Sequence, residues 1–401
     1  MKNKKYELLA PAGSFSTLVA AVNAGADAVY FGLKGFNMRA GLKTSEKNFG
    51  ISDLKKIKKI CNEKNVRRYL TLNTIVYDNE IKTIEKIIKK SKEYIDAIIC
   101  WDLSIIQLCQ KYNVPFHIST QASVSNAETA RFYKKLGAKN IVLARELNLK
   151  QIKKIKKQLP NLNLEVFAHG AMCVSVSGRC FTSQFLFNKS ANRGMCLHPC
   201  RRSYIVKDKQ EGYELEVKNN KIFSAKDLCT LPLIEKMKKA GITTFKIEGR
   251  SRDPRYVDTV VKIYRKALDK RMSKKEIQDS LKELKKVYNK GFSSGFYLGV
   301  PTSDGFSKVE NSSATEKKHF VGKVTHFYPK LNVALVRVSS EINLGDRIAI
   351  IGNTTGIKNT KVKQMEIEKK AIKKAKKGQD VGLKVPTRVR KNDKIYKIVS
   401  S

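Results

Sequence analysis

Four cysteines share one polar, glycine-rich stretch of the chain. Cys173, Cys180, Cys196 and Cys200 have six, fifteen and three residues between successive members. Arginines are interleaved with them, and a nearby arginine lowers the pKa of a thiol and offsets the charge of a metal centre. Four thiolates complete the coordination of a tetrahedral zinc ion or of a 4Fe–4S cluster. The segment therefore predicts a metal or cluster site.

Other uses of these cysteines are weaker explanations. Two disulfides would require an oxidising compartment, which nothing else in the chain indicates. Single cysteines often pack in cores, but four in a polar loop are not typical of packing. Zinc sites usually contain paired Cys-x-x-Cys motifs, and this segment has none. The irregular spacing therefore favours an iron–sulfur cluster, with zinc as the alternative.

Eight short apolar runs surround this segment, each followed by a turn and an amphipathic, mostly lysine-rich stretch. The runs span 6–13, 27–33, 68–76, 96–102, 115–123, 140–146, 164–171 and 244–250. The gaps are long enough for parallel crossovers, and the runs are as apolar as strands buried on both faces. The pattern predicts an α/β fold, a TIM-like (β/α)8 barrel with the cysteine-rich insertion after its seventh strand. A doubly wound open sheet is the main alternative.

Polar residues stand at the ends of these apolar strands, where a (β/α)8 barrel carries its functional groups. The residues that we expect to bind substrate are Asn73, Gln121, Arg145 and Lys246. Polar groups are costly to bury without a partner or a task, so their presence indicates a pocket. Each of them has a structural alternative, just as Asp102 could serve only to cap the helix that begins beside it.

Three strand-end residues are candidates for catalysis. His169 precedes Cys173 by four positions, and it could carry a proton, neighbour a cluster or be a hydrogen-bonded loop histidine. Glu248 and Arg250 share a strand face with Lys246. They form either a structural ion pair or an anion site for a carboxylate substrate, in which Glu248 orients the guanidinium. We expect the anion site, with His169, Glu248 and Arg250 facing one pocket.

The remaining pattern divides the chain into three parts. Residues 1–271 make up the predicted catalytic domain, which includes the cysteine-rich loop 172–204. Residues 272–318 are predicted to form a helical bridge and a loop. From 319 to 401 short strands alternate with turns, which predicts a small β-barrel domain.

The composition is strongly basic. Lys and Arg number 80 against 36 Asp and Glu, which gives a formal net charge of +44. A polyanion such as RNA is the functional interpretation, although lysines spread over helix faces could equally reflect a lysine-rich composition. No apolar run approaches the roughly 18 residues of a membrane span. The N-terminal apolar stretch is interrupted by Glu7, Pro11 and Gly13, so we expect a strand and turn rather than a leader, and a cytoplasmic protein.

Several motifs resemble a known family. ELLAPAG, GADAVYFG, HGAMCVSVSGRC, NRGMCLHPCRRSY, SAKDLC and FKIEGRSRDPRYV are similar to those of the collagenase-like peptidase family of unknown catalytic type, the U32 type, over nearly the whole chain. The resemblance implies an oxygen-independent hydroxylase with a 4Fe–4S cluster on Cys173, Cys180, Cys196 and Cys200, with Cys229 as an alternate ligand. It gives no such role to Cys61, Cys100 and Cys109, which we expect to be packing residues.

The length and the appended barrel are most similar to the branch that makes 5-hydroxyuridine at the tRNA wobble position with prephenate. A ribosomal RNA cytidine hydroxylase is the alternative within the family, and the ubiquinone branch lacks the appended barrel. A peptidase is less favoured, because the chain has neither H-E-x-x-H nor G-x-S-x-G. A cluster-stabilised scaffold that binds RNA without chemistry is the third possibility.

Overall fold

The N-terminal part alternates strand and helix, in a computed structural model that describes residues 5–41, 48–202, 204–216, 224–309 and 311–401. The strands are β1 (Glu7–Pro11), β2 (Ala28–Phe31), β3 (Arg67–Thr71), β4 (Ala97–Cys100), β5 (Phe116–Ile118), β6 (Asn140–Val142) and β7 (Asn163–Gly170). The helices that follow the first six strands are α1 (Phe15–Asn23), α2 (Leu54–Asn62), α3 (Ile81–Ser91), α4 (Leu103–Lys111), α5 (Ala127–Lys135) and α6 (Leu149–Gln158). Consecutive strands pair in parallel.

The cysteine-rich insertion separates β7 from the last barrel strand. In chain order come α7 (Thr182–Phe187), β8 (Ile205–Lys207), β9 (Glu214–Glu216), β10 (Asp227–Cys229), α8 (Ile234–Lys239), β11 (Thr244–Ile247) and α9 (Pro254–Asp269). Strand β11 pairs in parallel with both β7 and β1, which closes the ring of β1–β7 and β11. The predicted (β/α)8 barrel is thereby confirmed, because a doubly wound open sheet has no such closure.

The helices form by amphipathic spacing. In α3, Ile84, Ile87 and Ile88 are buried on one face while the lysines point away. Burying one such side chain contributes about 1.5–3 kcal/mol, so truncating Ile84 to alanine should cost about 2–5 kcal/mol of stability. Helix α2 buries Cys61 in the same way. Within the described ranges, no helix is both long and apolar enough to cross a membrane.

The interior of the barrel has an apolar layer and a polar layer. The apolar layer contains Leu9, Ala28, Tyr30, Tyr69, Ala97 and Ile99. In the polar layer, Lys246 Nζ lies 2.8 Å from Glu165 Oε1, and Asn140 donates to the second oxygen of the same carboxylate at 2.8 Å. Tyr69 donates to Glu7 at 2.8 Å. A buried ion pair survives only with such additional hydrogen bonds, so this layer fixes the position of Lys246.

A helix and a short strand lead from the barrel to an antiparallel sheet. They are α10 (Lys274–Lys286) and β12 (Phe292–Ser293), and β12 pairs with β10. The C-terminal strands are β13 (Glu316–Tyr328), β14 (Val333–Val338), β15 (Ile342–Asn343), β16 (Arg347–Gly352), β17 (Gly356–Lys361), β18 (Met365–Ile367), β19 (Lys370–Ala371), β20 (Lys374–Ala375), β21 (Asp380–Lys384) and β22 (Lys394–Ser400). The main sheet has the order β17-β16-β22-β13-β14-β21-β18-β19. It has its own apolar core, which includes Val324, Val336 and Ile350.

The C-terminal sheet packs on the first helix of the barrel. Ala20 of α1 lies in one buried apolar cluster with Ala349, Ile351 and Ile357. Glu316, at the start of β13, pairs with Arg255 of α9 and, at 2.8 Å, with Arg347. Apolar contact and a charge network around the buried Glu316 therefore join the two parts.

Candidate active site

The carboxyl ends of the barrel strands and the cysteine-rich insertion enclose a cavity of about 420 Å³. All the residues predicted for the site line this cavity except His169. They are Asn73, Gln121, Arg145, Lys246, Glu248, Arg250, Cys173, Cys180, Cys196 and Cys200. Barrel closure explains this convergence, because parallel strands that close into a ring direct all their carboxyl ends to the same face.

Glu248 pairs with an arginine that is not among the site residues predicted from the sequence. Arg39, in the loop after β2, lies 3.0 Å from the Glu248 carboxylate, and Tyr30 donates to the second oxygen at 3.2 Å. Burial raises the pKa of Glu248, but the charges of Arg39, Arg145 and Arg250 outweigh burial and lower this pKa to about 2. Glu248 is therefore ionised at neutral pH and is a poor proton donor.

Arg250 is held by neutral oxygens rather than by Glu248. Its Nη1 donates to Asn37 Oδ1 at 2.9 Å and to Thr71 Oγ1 at 3.0 Å. Burial lowers its pKa to about 10, which still leaves the side chain charged at neutral pH. A Cβ atom on Gly32 would lie 2.7 Å from this Nη1 and 2.5 Å from Asn37 Cγ. Gly32 is thus required for the close approach of the arginine.

The expectation that Glu248 directly orients Arg250 is therefore not met, since each of the two side chains has its own hydrogen-bond partners. The sequence indicates a site role for Arg39 only weakly, because it is simply a charged residue shortly after the second apolar run. It stands in a loop without periodicity, so its position depends on tertiary packing.

Arg145 and Lys246 have different charge environments. Arg145 donates to the carbonyl of Ala171 at 3.0 Å, and its guanidinium lies 3.8 Å from the centre of the Phe167 ring. No carboxylate forms an ion pair with Arg145 in the part of the chain that the structure describes. Lys246 is paired with Glu165. Within the described ranges, the arginines of this cavity that form no ion pair are therefore Arg145, Arg250 and Arg201, which donates to the carbonyl of Met172 at 3.3 Å.

An amide and hydroxyl cluster lines another wall. Asn73 donates to Ser119 at 3.2 Å and to Gln121 at 3.3 Å, and Ser119 donates to Gln121. Among the described residues, the buried hydroxyl of Thr120 has no hydrogen-bond partner. Because Thr120 also lines the cavity, its hydroxyl can bind a polar group of a ligand.

His169 lies behind the cavity wall. It is 1 % exposed, its Nδ1 is 3.3 Å from the Tyr264 hydroxyl, and it packs against Tyr256 and Phe292. Burial lowers its pKa to about 3. The pairing of β7 with β11 shifts register at this point, between Lys246 and Ile247. This irregularity breaks the alternation that places Glu165 and Phe167 inside the barrel, so His169 does not face the predicted pocket.

The four cysteines of the insertion face one space. Burial and then Cys173 raise the pKa of the Cys200 thiol, with smaller contributions from Cys196 and Cys180 and an opposing one from Arg201. Cys173 lies 2.8 Å from the Ser175 hydroxyl, and Cys180 lies 3.2 Å from that of Thr182. The donor type and the convergence fit the predicted cluster.

The arrangement of these thiols is not that of a single-ion site. Among the described residues, no group of three or more His, Cys, Asp or Glu side chains is arranged to hold a metal ion. A tetrahedral zinc at about 2.3 Å from each sulfur needs thiolates in mutual contact. A four-iron cluster is larger and spaces its ligands farther apart, and the iron–sulfur cluster on these four thiols stays a prediction.

The other cysteines lie away from the cavity. Cys61, Cys100 and Cys109 are fully buried in the main apolar core, as expected for packing residues. Cys229, the alternate ligand, accepts a hydrogen bond from the Tyr264 hydroxyl at 3.8 Å, and burial raises its pKa to about 11. It is not among the residues that line the cavity, and this position favours Cys200 over Cys229 as the fourth ligand.

A TIM-like barrel with a cysteine-lined, arginine-rich mouth defines the class of protein. Residues 13–306 match the family described as Peptidase family U32, and the chain belongs to this family. It is 41% identical to a protein named collagenase from Porphyromonas gingivalis, over 99% of both chains. It is 33% identical to tRNA hydroxylation protein P1 of Bacillus subtilis, over 87% of this chain and 84% of the relative. A solved U32 peptidase superposes with a TM-score of 0.42 and 12% identity, over 62% of this chain and 95% of that one.

Proposed function

We propose that this protein hydroxylates the wobble uridine of tRNA to 5-hydroxyuridine, with prephenate as co-substrate and a 4Fe–4S cluster on Cys173, Cys180, Cys196 and Cys200. The observation that carries this proposal is the shared cavity, in which thiols of the insertion and arginines of the barrel, including the buried Arg250, face the same space. The relative named for tRNA hydroxylation supports tRNA as the substrate.

The charges of the cavity suit a dicarboxylate. Arg39 is paired with Glu248 and Lys246 with Glu165, whereas Arg145 and Arg250 are held by a carbonyl, a hydroxyl and an amide. Arg201 also lines the cavity and contacts a carbonyl. Three guanidinium groups are thus without an ion pair among the described residues, and two of them suffice for the two carboxylates of prephenate. A planar guanidinium binds a carboxylate through two parallel hydrogen bonds, which fixes orientation as well as charge.

The remaining residues position the substrate. Glu248 stays ionised and holds Arg39 at the mouth, while Asn73, Gln121 and Thr120 offer amide and hydroxyl groups to a nucleobase edge. An iron–sulfur cluster, when bound, would supply one-electron chemistry beside them. Asn73, Gln121 and Arg250 are buried, and burial strengthens their electrostatic contacts with a ligand.

The test compares tRNA from a strain that lacks this gene with tRNA from the same strain carrying the gene again. Mass spectrometry of the nucleosides should show 5-hydroxyuridine only when the gene is present. Anaerobically purified protein should form the same nucleoside on unmodified tRNA, with omission of prephenate as the control. Unchanged 5-hydroxyuridine in the deletion strain would contradict the proposal, and loss of a hydroxycytidine from ribosomal RNA would favour the related alternative.

Proteolysis is the second candidate, because the 41%-identical relative is named collagenase. A cysteine or serine nucleophile needs a base within hydrogen-bond reach. His198 lines the cavity, but within the described ranges its side chain forms no hydrogen bond to a cysteine or serine. The hydrogen bond of His169 joins it to Tyr264, and neither of these residues lines the cavity. Incubation of gelatin with cluster-loaded and cluster-free protein tests this candidate, and cleavage that persists without the cluster would support it.

A further inference from the structure

A second cavity, of about 340 Å³, lies on the other side of the Arg39–Glu248 pair. It shares Arg39, Glu248, Ala171, His198 and Arg201 with the main cavity. Its other lining residues are Gly249, Ser251, Arg252, Tyr288, Lys290 and Asn311. The loop after β11 and the segment after α10 form these outer walls, so the second cavity is also at the mouth of the barrel.

The lining of the second cavity is strongly cationic. Its cationic residues are Arg39, Arg201, Arg252 and Lys290, and Lys290 also contacts Ser224 at 3.1 Å. Among the described lining residues the one carboxylate is that of Glu248, which Arg39 already neutralises. Neither Arg201 nor Arg252 forms an ion pair with a carboxylate elsewhere in the described chain. The guanidinium carbon of Arg252 lies over Tyr288, 3.5 Å from the ring centre, and this cation–π contact positions the group beside the cavity.

Asp227 is the acidic residue behind this cavity. It is 1 % exposed, and its Oδ1 has no hydrogen-bond partner among the described residues. Burial raises the pKa of Asp227, while Arg252, Arg201 and Lys290 act in the opposite direction. Among the residues that the structure describes, the lining therefore carries more positive than negative charge even when Asp227 is ionised.

We propose that this second cavity binds a backbone phosphate of the RNA whose base enters the main cavity. The inference rests on the proposed function for the identity of the RNA. In a nucleotide the base and its phosphates are separated by the ribose, and an enzyme that takes a base out of its stack holds the phosphates outside the base pocket. Two cavities with the Arg39–Glu248 pair as their common wall match this division. Arginine forks bind phosphate bidentately, and Arg252 is the residue that we expect to make this contact.

The test measures binding of an anticodon stem-loop RNA to Arg252→Gln and to a matched control. Arg271→Gln removes the same charge from an exposed residue after α9, at the opposite end of the barrel. Arg252→Gln should weaken binding several-fold and reduce the slope of log affinity against log salt by about 1. Arg271→Gln should keep the wild-type slope. Equal slopes for wild type and Arg252→Gln would overturn the proposal.

A second arm uses stem-loops in which one phosphate at a time is replaced by an uncharged methylphosphonate. At one position near the target uridine the replacement should remove the difference between wild type and Arg252→Gln. A difference that persists for every position would mean that the arginine acts only through folding or through the co-substrate. Arg252→Lys keeps the charge but loses the guanidinium contact with Tyr288, so it should retain most of the salt slope, and loss of that slope would overturn the proposal.

The binding arms are independent of hydroxylation. If wild-type protein forms no 5-hydroxyuridine but the Arg252→Gln effect is present, the proposed function fails and the phosphate site stands. If 5-hydroxyuridine forms and the Arg252→Gln effect is absent for every RNA, the phosphate site alone is wrong.

Discussion

At the residue scale, the partners of Glu248 and Arg250 determine what each can do. Arg39 contacts one carboxylate oxygen of Glu248 and Tyr30 contacts the other, and the low pKa of Glu248 keeps it ionised. Arg250 has two neutral partners, so its charge remains available to a ligand. Both residues were predictable as strand-end candidates. Their separate partners were not, because Arg39 and Asn37 belong to a loop whose path depends on packing.

Replacing Arg250 with lysine should lower hydroxyuridine formation at least about tenfold, because misplacement of a positioning group by about 1 Å can cost about a hundredfold in rate. Lysine retains the charge but cannot contact Asn37, Thr71 and a carboxylate together. The matched control is Arg68→Lys, which breaks a bidentate pair with Asp96 at the other end of β3. The control should lose stability but not activity. Full activity of Arg250→Lys, measured as nucleoside yield, would remove Arg250 from the site.

The cysteines give a second prediction at this scale. Serine at Cys173, Cys180, Cys196 or Cys200 should lower iron and sulfide content, because each change removes one thiolate from the shared cavity. Serine at Cys61 or Cys109 should leave the iron content per folded protein unchanged, although each change buries a hydroxyl at a cost of roughly 1–3 kcal/mol. Iron and sulfide are measured on anaerobically purified protein. Loss of the cluster in Cys229→Ser with retention in Cys200→Ser would show that the ligand choice is wrong.

His169 illustrates a limit of reading side-chain direction from sequence. Its parity with Glu165 and Phe167 on one strand predicts an inward side chain. The register shift opposite Ile247 reverses that parity, and a shift of one residue is not visible in an apolar run. The rule of alternation is reliable only where the strand pairing is regular.

At the element scale, the eight barrel strands and most helices were predictable for a physical reason. Strands that are buried on both faces must be continuously apolar. Helices that cover them bury one face only, which gives an apolar residue every three to four positions. Both patterns are easy to recognise in the sequence. The polar layer inside the barrel was less visible. Glu7, Glu165 and Lys246 interrupt apolar runs singly, and only barrel closure brings them together.

The polar layer leads to a prediction about pH. Burial raises the pKa of Glu7 to about 7, against the opposing effects of Arg67 and Tyr69. The native state therefore binds a proton more tightly than the unfolded chain, so this contribution to stability is present at low pH and is lost as pH rises from about 4.5 to 7. Relative to Glu7→Gln, wild-type protein should lose up to about 3 kcal/mol of unfolding free energy between pH 5 and pH 8. Urea unfolding of both proteins at the two pH values measures this, and a constant difference would contradict it.

At the scale of the whole molecule, the net charge of +44 has two components. Lysines dominate the outer faces of helices such as α2 and α6, where most of them are exposed to solvent. Arginines dominate the two cavities at the mouth. The overall charge therefore predicts only a basic protein. The concentration of arginines at the two cavities indicates where an anionic ligand would bind. That distinction required the fold, because the arginines come from distant parts of the chain.

The contact between barrel and C-terminal sheet gives the last prediction. Gly356, at the start of β17, has a φ of +67°, and a Cβ atom there would lie 2.8 Å from Val19 Cγ1 and 3.1 Å from the Ala20 nitrogen. Gly345 has a φ of +88° but nothing within 4 Å of the same position. Alanine at either site strains the backbone by about 1–2 kcal/mol, but only Gly356→Ala also collides with α1.

We therefore expect Gly356→Ala to lose a further 1–3 kcal/mol or so of unfolding free energy compared with Gly345→Ala, the size of an overpacking penalty. Denaturant unfolding of the two variants provides the comparison. Because the clash separates the sheet from α1, proteases should also cut the segment between α10 and β13 faster in Gly356→Ala. Equal unfolding free energies and equal cleavage rates would mean that the sheet can shift on α1 without cost, and that the apolar cluster around Ala20 does not fix the position of the two parts.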